Sequence, residues 1–440
     1  MAKDYDIIII GAGPGGYPTA ARAAAEGLRT LVVERDHLGG TCLNRGCIPT
    51  KALLRSAEVA NLVKEAAQYG INVCDYSLDY EAAVRRKDEV VGQLREGVAT
   101  VLKNVDVVRG EARFVGQRVI EVGGQEYTAP KIIIATGSQP AALPIPGAEL
   151  AVNSDFMLAA TALPDSVIII GGGVIGLEFA SILSAFGVEV SVLEFCKEVL
   201  PGFDSEVAKR LRMALKRRGV NITTQARATA IRPTDDGRRA VDFEVKGKEK
   251  TIEAQTVLMA VGRRAVVPEG LAEQGCLIDR GRIVVDDTMA TTLPGVYAIG
   301  DCNGRCMLAH AATAQGLIAM GDTIDLSIMP AAVFTQPECA SVGLTEDACI
   351  EKGITHKVAS VPYRMSGKAL AAGEPDGLVK MIAAEDGLIL GCHILGAHAS
   401  DLIEEVAVAL DRKMTAAELA SVVHGHPTHS ELIQEAARRL

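Results

Sequence analysis

Two stretches of this chain carry the same pattern of apolar and polar positions. The first, DYDIIIIGAGPGGYPTAARAAAEGLRTLVVER, runs from Asp4 to Arg35, and the second, DSVIIIGGGVIGLEFASILSAFGVEVSVLE, from Asp165 to Glu194. Each opens on a short unbroken apolar run, which predicts a buried strand. A glycine-rich turn follows, then an alanine-rich helix, then a second apolar strand closed by an acid. Each stretch is therefore one βαβ unit, written twice. Proline-rich stretches at Pro140 to Pro146 and at Pro164 punctuate the chain between them. A third region opens near Met329 and Pro330. There, strand-like runs (Gly377 to Ile382, Leu388 to Leu395) alternate with a helix expected near Ser400 to Asp411. A final helix is expected from about Thr428 to Arg439.

The glycines sit where a dinucleotide needs them. In Gly11, Gly13 and Gly16 the first permits a tight turn, the second lets backbone approach a pyrophosphate, and the third lets helix pack on strand. The helix N-terminus then faces negative phosphates. Glu34 ends the next strand, placed to accept from a ribose. Gly171, Gly173, Gly176 and Glu194 repeat the pattern, and an acid at Glu194 favours the free 2'-hydroxyl of NAD over the 2'-phosphate of NADP. Lys197 nearby weakens that preference. Pro18 departs from the helical pattern, because proline past the first turn deletes a hydrogen bond. The alternative for both acids is a plain solvent-facing carboxylate, and for either turn a glycine loop without a ligand.

Just after the first unit lies GGTCLNRGCIPTK, from Gly39 to Lys51. Its two thiols are five residues apart. A disulfide needs Cα atoms roughly 4.4–6.8 Å apart, whereas an ideal helix holds residues i and i+5 about 8.6 Å apart. Cys42 and Cys47 can pair only where the backbone between them is compressed, and Gly46 could permit that. The alternative is two unrelated buried thiols.

Composition narrows the function. The 440 residues are enough for two to four domains, and aromatic residues make up 4% with no Trp, so aromatic nucleic-acid platforms are not expected. A formal net charge of -10 argues against phosphate-backbone binding. No apolar run reaches the roughly 20 residues that cross a bilayer, and the first strand begins too close to Met1 for a signal peptide. A cytoplasmic address is the expectation. Ten scattered cysteines do not form a secreted disulfide framework.

Taken together, the doubled unit and the CxxxxC segment resemble the flavin-dependent pyridine nucleotide-disulfide oxidoreductases. IIIATGS (Ile132 to Ser138), VLMAVGRR (Val257 to Arg264), TTLPGVYAIGDC (Thr291 to Cys302), MLAHAATAQG (Met307 to Gly316) and FTQPECASVGLTE (Phe334 to Glu346) are similar to that family's segments, in its order. The resemblance implies an α/β fold with two Rossmann-like dinucleotide-binding domains and a C-terminal α+β dimerisation domain. The implied boundaries are 1–145 for the first part of the FAD domain, 146–264 for the NAD domain, 265–328 for the return segment, and 329–440 for the interface domain. GGTCLNRGCIPTK and HGHPTHSE (His424 to Glu431) are most similar to members that oxidise protein-bound dihydrolipoyl groups with NAD.

The resemblance also implies roles. Cys42 would exchange with the substrate dithiol, and Cys47 would lie against the flavin as a thiolate. Lys51 would sit near the flavin, paired with Glu178, and His426, held by Glu431, would be the general base reaching across a homodimer. FAD would be held by Gly11, Gly13, Gly16, Glu34, Gly40, Thr41, Lys51, Ala112, Gly137, Asp301 and Ala309. NAD would be held by Gly171, Gly173, Gly176, Glu194 and Gly262. The implied partners are lipoyl-bearing domains of 2-oxo acid dehydrogenase complexes or of the glycine cleavage system, with no nucleic acid, membrane or metal. Two alternatives are an NAD(P)H-dependent reductase of a small disulfide such as glutathione disulfide, and a flavin-bearing scaffold subunit of such a complex. GRRAVV after Gly262 and Thr50 in place of the commoner Ser depart from the pattern.

Several residues have competing readings. Thr428-x-x-Glu431 is a capping-box pattern, which alone would explain the acid. His424, His426 and His429 could bind zinc, but adjacent acids and Pro427 argue against a closed site. Cys302, Cys306 and His310 could hold metal or a second redox pair, against a reading as packed thiols. Lys51 could be a solvated residue of an amphipathic helix whose apolar side carries Leu54, Val59 and Leu62.

Overall fold

The computed structural model describes residues 2–440. It divides into two compact units, one comprising Met1–Ala52, Glu81–Ala141 and Arg263–Leu326, the other Leu53–Tyr80, Ala142–Gly262 and Ser327–Leu440. Both expected βαβ stretches form. In the first unit, strand Ile7–Ile10 leads into helix Gly16–Ala25 and strand Thr30–Glu34. These strands lie in a five-stranded sheet, in the order Val296–Ala298, Lys131–Ile134, Ile7–Ile10, Thr30–Glu34, Asp106–Arg109, with every neighbouring pair parallel. Ile7, Ile8, Ile9 and Ile132 to Ile134 are buried to 4% exposure or less, which is why the strands read as unbroken apolar runs rather than alternating ones.

The second unit repeats the plan with Ser166–Ile170, helix Val174–Ala185 and Glu189–Leu193, in a parallel sheet ordered Asn221–Thr223, Glu189–Leu193, Ser166–Ile170, Thr256–Met259. A parallel sheet aligns the carboxyl ends of its strands, so both glycine turns leave one edge of their sheet. Pro18 is the third residue of its helix. It occupies the first turn, where its missing N–H would have found no helical partner, and the expected lost hydrogen bond does not arise.

The C-terminal region of the second unit is antiparallel. Its five strands run in the order Ala331–Val333, Cys339–Gly343, Ile389–Leu395, Leu378–Ala384, His356–Pro362, and helices Ala399–Asp411, Ala416–Ser421 and Glu431–Arg438 contribute to its core. The last helix begins at Glu431, not near Thr428. The peptide before Pro427 is cis, and the segment His424–Ser430 is held by side-chain bonds instead of helical ones.

One charge is buried deeply in this unit. The Lys380 side chain is 2% exposed; its Nζ lies 2.9 Å from Asp204, 2.6 Å from Glu346 and 3.6 Å from Glu206. Burial pushes the Asp204 carboxyl up, but Lys380 and the N–H of Val207 outweigh it and hold the group below its ordinary value. Asp204 also caps helix Ser205–Arg217, accepting from the N–H groups of Glu206 and Val207. Lys380→Met should therefore destabilise the protein by about 3–5 kcal/mol, because it strands a buried anion. The check is a drop in the guanidinium unfolding midpoint. Since the folded pKa of Asp204 is depressed, its contribution is complete above the ordinary carboxylate value of about 3.9 and is lost as pH falls through the folded value.

Candidate active site

The glycine turns are built for close approach. A Cβ on Gly11 would collide with the carbonyl of Ala135, and one on Gly16 with the carbonyl of Gly11. Gly11 also has φ +106°, a conformation that side chains rarely adopt. Gly13 differs: its Cβ would meet nothing nearer than Gly40 Cα at 3.8 Å. In the second unit Gly171 and Gly176 are blocked in the same way, by Ala260 and Gly171, while Gly173 faces open space with nothing within 4 Å. The two outer glycines of each motif serve packing and the middle one leaves room for a ligand.

The acids close these turns. Glu34 Oε2 accepts from the N–H of Ala12 at 2.7 Å, and Oε1 from Asp36 at 2.8 Å. Glu194 does the same one unit later, Oε2 with Gly172 and Oε1 with Cys196, both at 2.6 Å. Neither is a solvent-facing acid, since Glu34 is 8% and Glu194 6% exposed. Burial raises the Glu34 pKa, and the Ala12 N–H partly opposes that. A carboxylate offers about four acceptor positions, so each keeps capacity for ribose hydroxyls. A recess beside Glu34 is lined by His37, Leu38, Arg95, Ala99 and Arg109.

Cys42 and Cys47 form a disulfide with Cα atoms 4.7 Å apart. The compression comes from a break between two helices. Gly40–Arg45 ends at Gly46 (φ −144°, ψ −114°), and Cys47 starts the helix Cys47–Glu65. Gly46 is required there, because a Cβ would stand 2.9 Å from the Thr41 carbonyl and 3.2 Å from Cys42 Cα. Thr50 steadies the break: its hydroxyl donates to the Gly46 carbonyl at 2.6 Å. A threonine hydroxyl makes that bond as a serine would, so this departure is absorbed. Asn44 Nδ2 donates to the carbonyls of Leu38 and Gly40, and Arg95 donates to Asn44 Oδ1 at 2.8 and 3.0 Å. Both cysteines are half-buried. The pair lies close to the first glycine turn, for a Cβ on Gly40 would stand 2.6 Å from Gly13 Cα.

Asp301 belongs to a small network. Ser138 Oγ donates to its carboxylate, and Arg263 donates to Ser138 Oγ at 2.7 Å and to the Ser138 carbonyl at 2.8 Å. The GRRAVV departure thus forms a short strand, Arg263–Ala265, antiparallel to Ser138–Pro140. Ala309 is the first residue of helix Ala309–Ala319, whose N-terminus carries no side-chain cap. Ala112 is 5% exposed, Gly137 directly precedes Ser138, and Gly262 has open space where a Cβ would stand. Thr41 and Lys51 are half-buried. Glu178 is buried in the second unit and accepts from the N–H of Phe334 at 3.0 Å; Lys51 belongs to the first unit.

In the C-terminal segment, His426 Nδ1 lies 2.9 Å from Glu431 Oε1, with the imidazole side chain 79% exposed. Glu431 Oε2 accepts from the N–H of Thr428 at 2.9 Å. The two roles expected to compete for this carboxylate are divided between its two oxygens. The reciprocal half of a capping box is missing, since the Thr428 hydroxyl donates to the Gly425 carbonyl. The Thr428 N–H, and then His426, hold the Glu431 carboxyl below its ordinary pKa. His424 pairs with Glu405 at 2.7 Å, while His429 stacks on Tyr363, so the three histidines do not converge. Cys302 is fully buried and burial pushes its thiol up to about 12, which leaves it inert. Burial raises Cys306 as well.

Two dinucleotide turns, one of them beside a closed disulfide, define an oxidoreductase that couples nucleotide cofactors to thiol chemistry. Residues 5–316 match the family described as pyridine nucleotide-disulphide oxidoreductase, and residues 329–437 match its dimerisation domain. The chain belongs to the pyridine nucleotide-disulphide oxidoreductase family. It is 42% identical over 451 residues to a dihydrolipoyl dehydrogenase of Bacillus subtilis (strain 168), covering 99% of this chain and 96% of that one. It is 40% identical over 453 residues to a dihydrolipoyl dehydrogenase of Thermus scotoductus, covering 100% and 98%. Among solved structures it is similar to the HOCl-induced flavoprotein disulfide reductase RclA from Escherichia coli, with a TM-score of 0.87, 28% identity and 99% of both chains covered. FAD and NAD are the cofactors of this chain, and the open space at Gly13 and Gly173 fits a pyrophosphate at each turn. No helix among the described residues is long and apolar enough to cross a membrane.

Proposed function

We propose that this protein oxidises protein-bound dihydrolipoyl groups to the lipoyl disulfide with NAD as acceptor. The observation that carries the reading is the Cys42–Cys47 disulfide, held beside the first glycine turn through the Gly13–Gly40 contact. Two dihydrolipoyl dehydrogenases similar over the full chain support it.

The residues take these roles. Gly11, Gly13, Gly16, Glu34, Gly40, Thr41, Lys51, Ala112, Gly137, Asp301 and Ala309 hold FAD. Gly171, Gly173, Gly176, Glu194 and Gly262 hold NAD. The start of helix Ala309–Ala319, which carries no side-chain cap, supports the assignment, because the positive end of a helix stabilises negative charge on a reduced ring. Lys51 acts beside the flavin.

His426 Nδ1 donates to Glu431, which leaves Nε2 free to take a proton from a substrate thiol. The resulting thiolate attacks Cys42 Sγ, the Cys42–Cys47 bond breaks, and Cys47 departs as a thiolate. The second substrate thiol then attacks the first substrate sulfur of the mixed disulfide and passes its proton to the departing Cys42, while the first proton stays on His426. FAD, when bound, supplies the two-electron transfer that restores the disulfide and passes a hydride to NAD. The high exposure of His426 supports a base offered to the disulfide of a partner copy, and the dimerisation domain supports that homodimer. The eight cysteines outside the pair are free, which supports a reducing, cytoplasmic setting. The lipoyl-bearing partners are domains of a 2-oxo acid dehydrogenase complex or of the glycine cleavage system.

Dihydrolipoamide, with NAD and the fully FAD-loaded protein, tests the reading. Turnover is expected with NAD and far less with NADP, because the Glu194 carboxylate repels a 2'-phosphate. No turnover, or a preference for glutathione disulfide and NADPH, rejects it. Gly16→Ala should yield protein with little bound flavin, since its Cβ meets backbone rather than a side chain that can move. The flavin-to-protein absorbance ratio after purification checks this.

A further inference from the structure

We propose that Glu374, His398 and His429 form a binding site for one divalent transition-metal ion of the Zn²⁺ class. One ligand atom from each residue lies within 4.8 Å of the others. The site is assembled from three separate segments. Glu374 lies just before strand Leu378–Ala384, His398 caps helix Ala399–Asp411, and His429 precedes helix Glu431–Arg438.

His429 is the reason to expect a ligand. It is 6% exposed, and neither ring nitrogen has a hydrogen-bond partner among the described residues. A buried imidazole with both nitrogens unpaired carries a desolvation cost that nothing in the chain offsets. Other histidines are satisfied: His393 by Ser341 and Leu344, His424 by Glu405 and Val422, His426 by Glu431. The His429 ring is fixed in place by Tyr363, with ring centroids 5.7 Å apart, and His398 approaches at 5.3 Å.

Two imidazoles and a carboxylate suit a borderline metal, with ligand distances of about 2.0–2.2 Å and further positions left to water. His429 is the fixed ligand. Glu374 and His398 are exposed side chains and can close the remaining distance. Burial lowers the His429 pKa, and His398 and Lys368 add to that, which keeps the ring neutral and its lone pair available. Lys368 opposes a cation here, whereas Glu58 and Glu338 favour one. A bound ion would tie the segment carrying His426 and Glu431 to the sheet.

The test is a Zn²⁺ titration of the oxidised, FAD-loaded protein after chelator treatment, with the free thiols capped by N-ethylmaleimide. Calorimetry gives the affinity and native mass spectrometry the stoichiometry. One Zn²⁺ per chain, with micromolar or tighter affinity, is expected. His398→Ala and Glu374→Gln should each weaken binding at least about tenfold, since loss of even an outer partner of a metal ligand costs that much. His426→Ala should leave it unchanged. Both decisive substitutions are at exposed positions, so they read binding even where His429→Ala fails to fold. Equal affinity in wild type and His398→Ala, or loss of binding in His426→Ala, overturns the proposal.

Discussion

Cys47→Ser should abolish NAD-linked oxidation of dihydrolipoamide, lowering kcat by about 10,000-fold or more, the scale on which removing a covalent participant disables an enzyme. Fold and flavin content should persist. Serine replaces sulfur by oxygen at a half-buried position, and the break at Gly46 is held by Thr50 and the glycine itself. Cys42→Ser should cost as much turnover, because neither thiol alone can form the disulfide. The two variants separate by their long-wavelength absorbance. The band is expected in wild type on anaerobic two-electron reduction, in Cys42→Ser already before reduction, where Cys47 is free beside an oxidised flavin, and not at all in Cys47→Ser, because only Cys47 is assigned to the flavin side. Turnover above about 1% of wild type in Cys47→Ser would remove the thiol pair from the mechanism.

His426→Gln should lower kcat by about 100- to 10,000-fold, the range for loss of a positioned general base. KM for dihydrolipoamide should move little, since the imidazole acts on the proton rather than on binding the dithiol. Glu431 stays ionised at neutral pH, because the Thr428 N–H and His426 hold its carboxyl below the ordinary value. Glu431→Gln should give a smaller loss, as an amide oxygen can still receive Nδ1–H but carries no charge. A stopped-flow series in which His426→Gln retains the wild-type reductive half-reaction would assign the base elsewhere.

Much of this was legible from local pattern. Both βαβ stretches stood in the sequence because a strand buried on two faces must be continuously apolar. The glycine spacing stood there because Gly11 and Gly16 each leave no room for a Cβ. The capping-box spacing of Thr428 and Glu431 predicts a helix start three residues ahead of the one that forms at Glu431. The chain instead spends the Thr428 hydroxyl on Gly425. Asn44 and Arg95 were not legible: fifty-one positions separate them, and no periodicity links a polar residue to an arginine that distant. The Arg263–Ser138–Asp301 network was hidden for the same reason.

The sequence by itself determined the doubled nucleotide unit, the compressed thiol pair and the His426–Glu431 ending, because each depends on residues a few positions apart. Tertiary structure alone decided how charges and rings from distant segments meet. It placed Lys380 among Asp204, Glu206 and Glu346, and it turned His429 away from its neighbours toward His398 and Glu374. The physical reason is burial. Whether a polar group finds a partner depends on which segments enclose it, and that is settled only when the chain has folded around it.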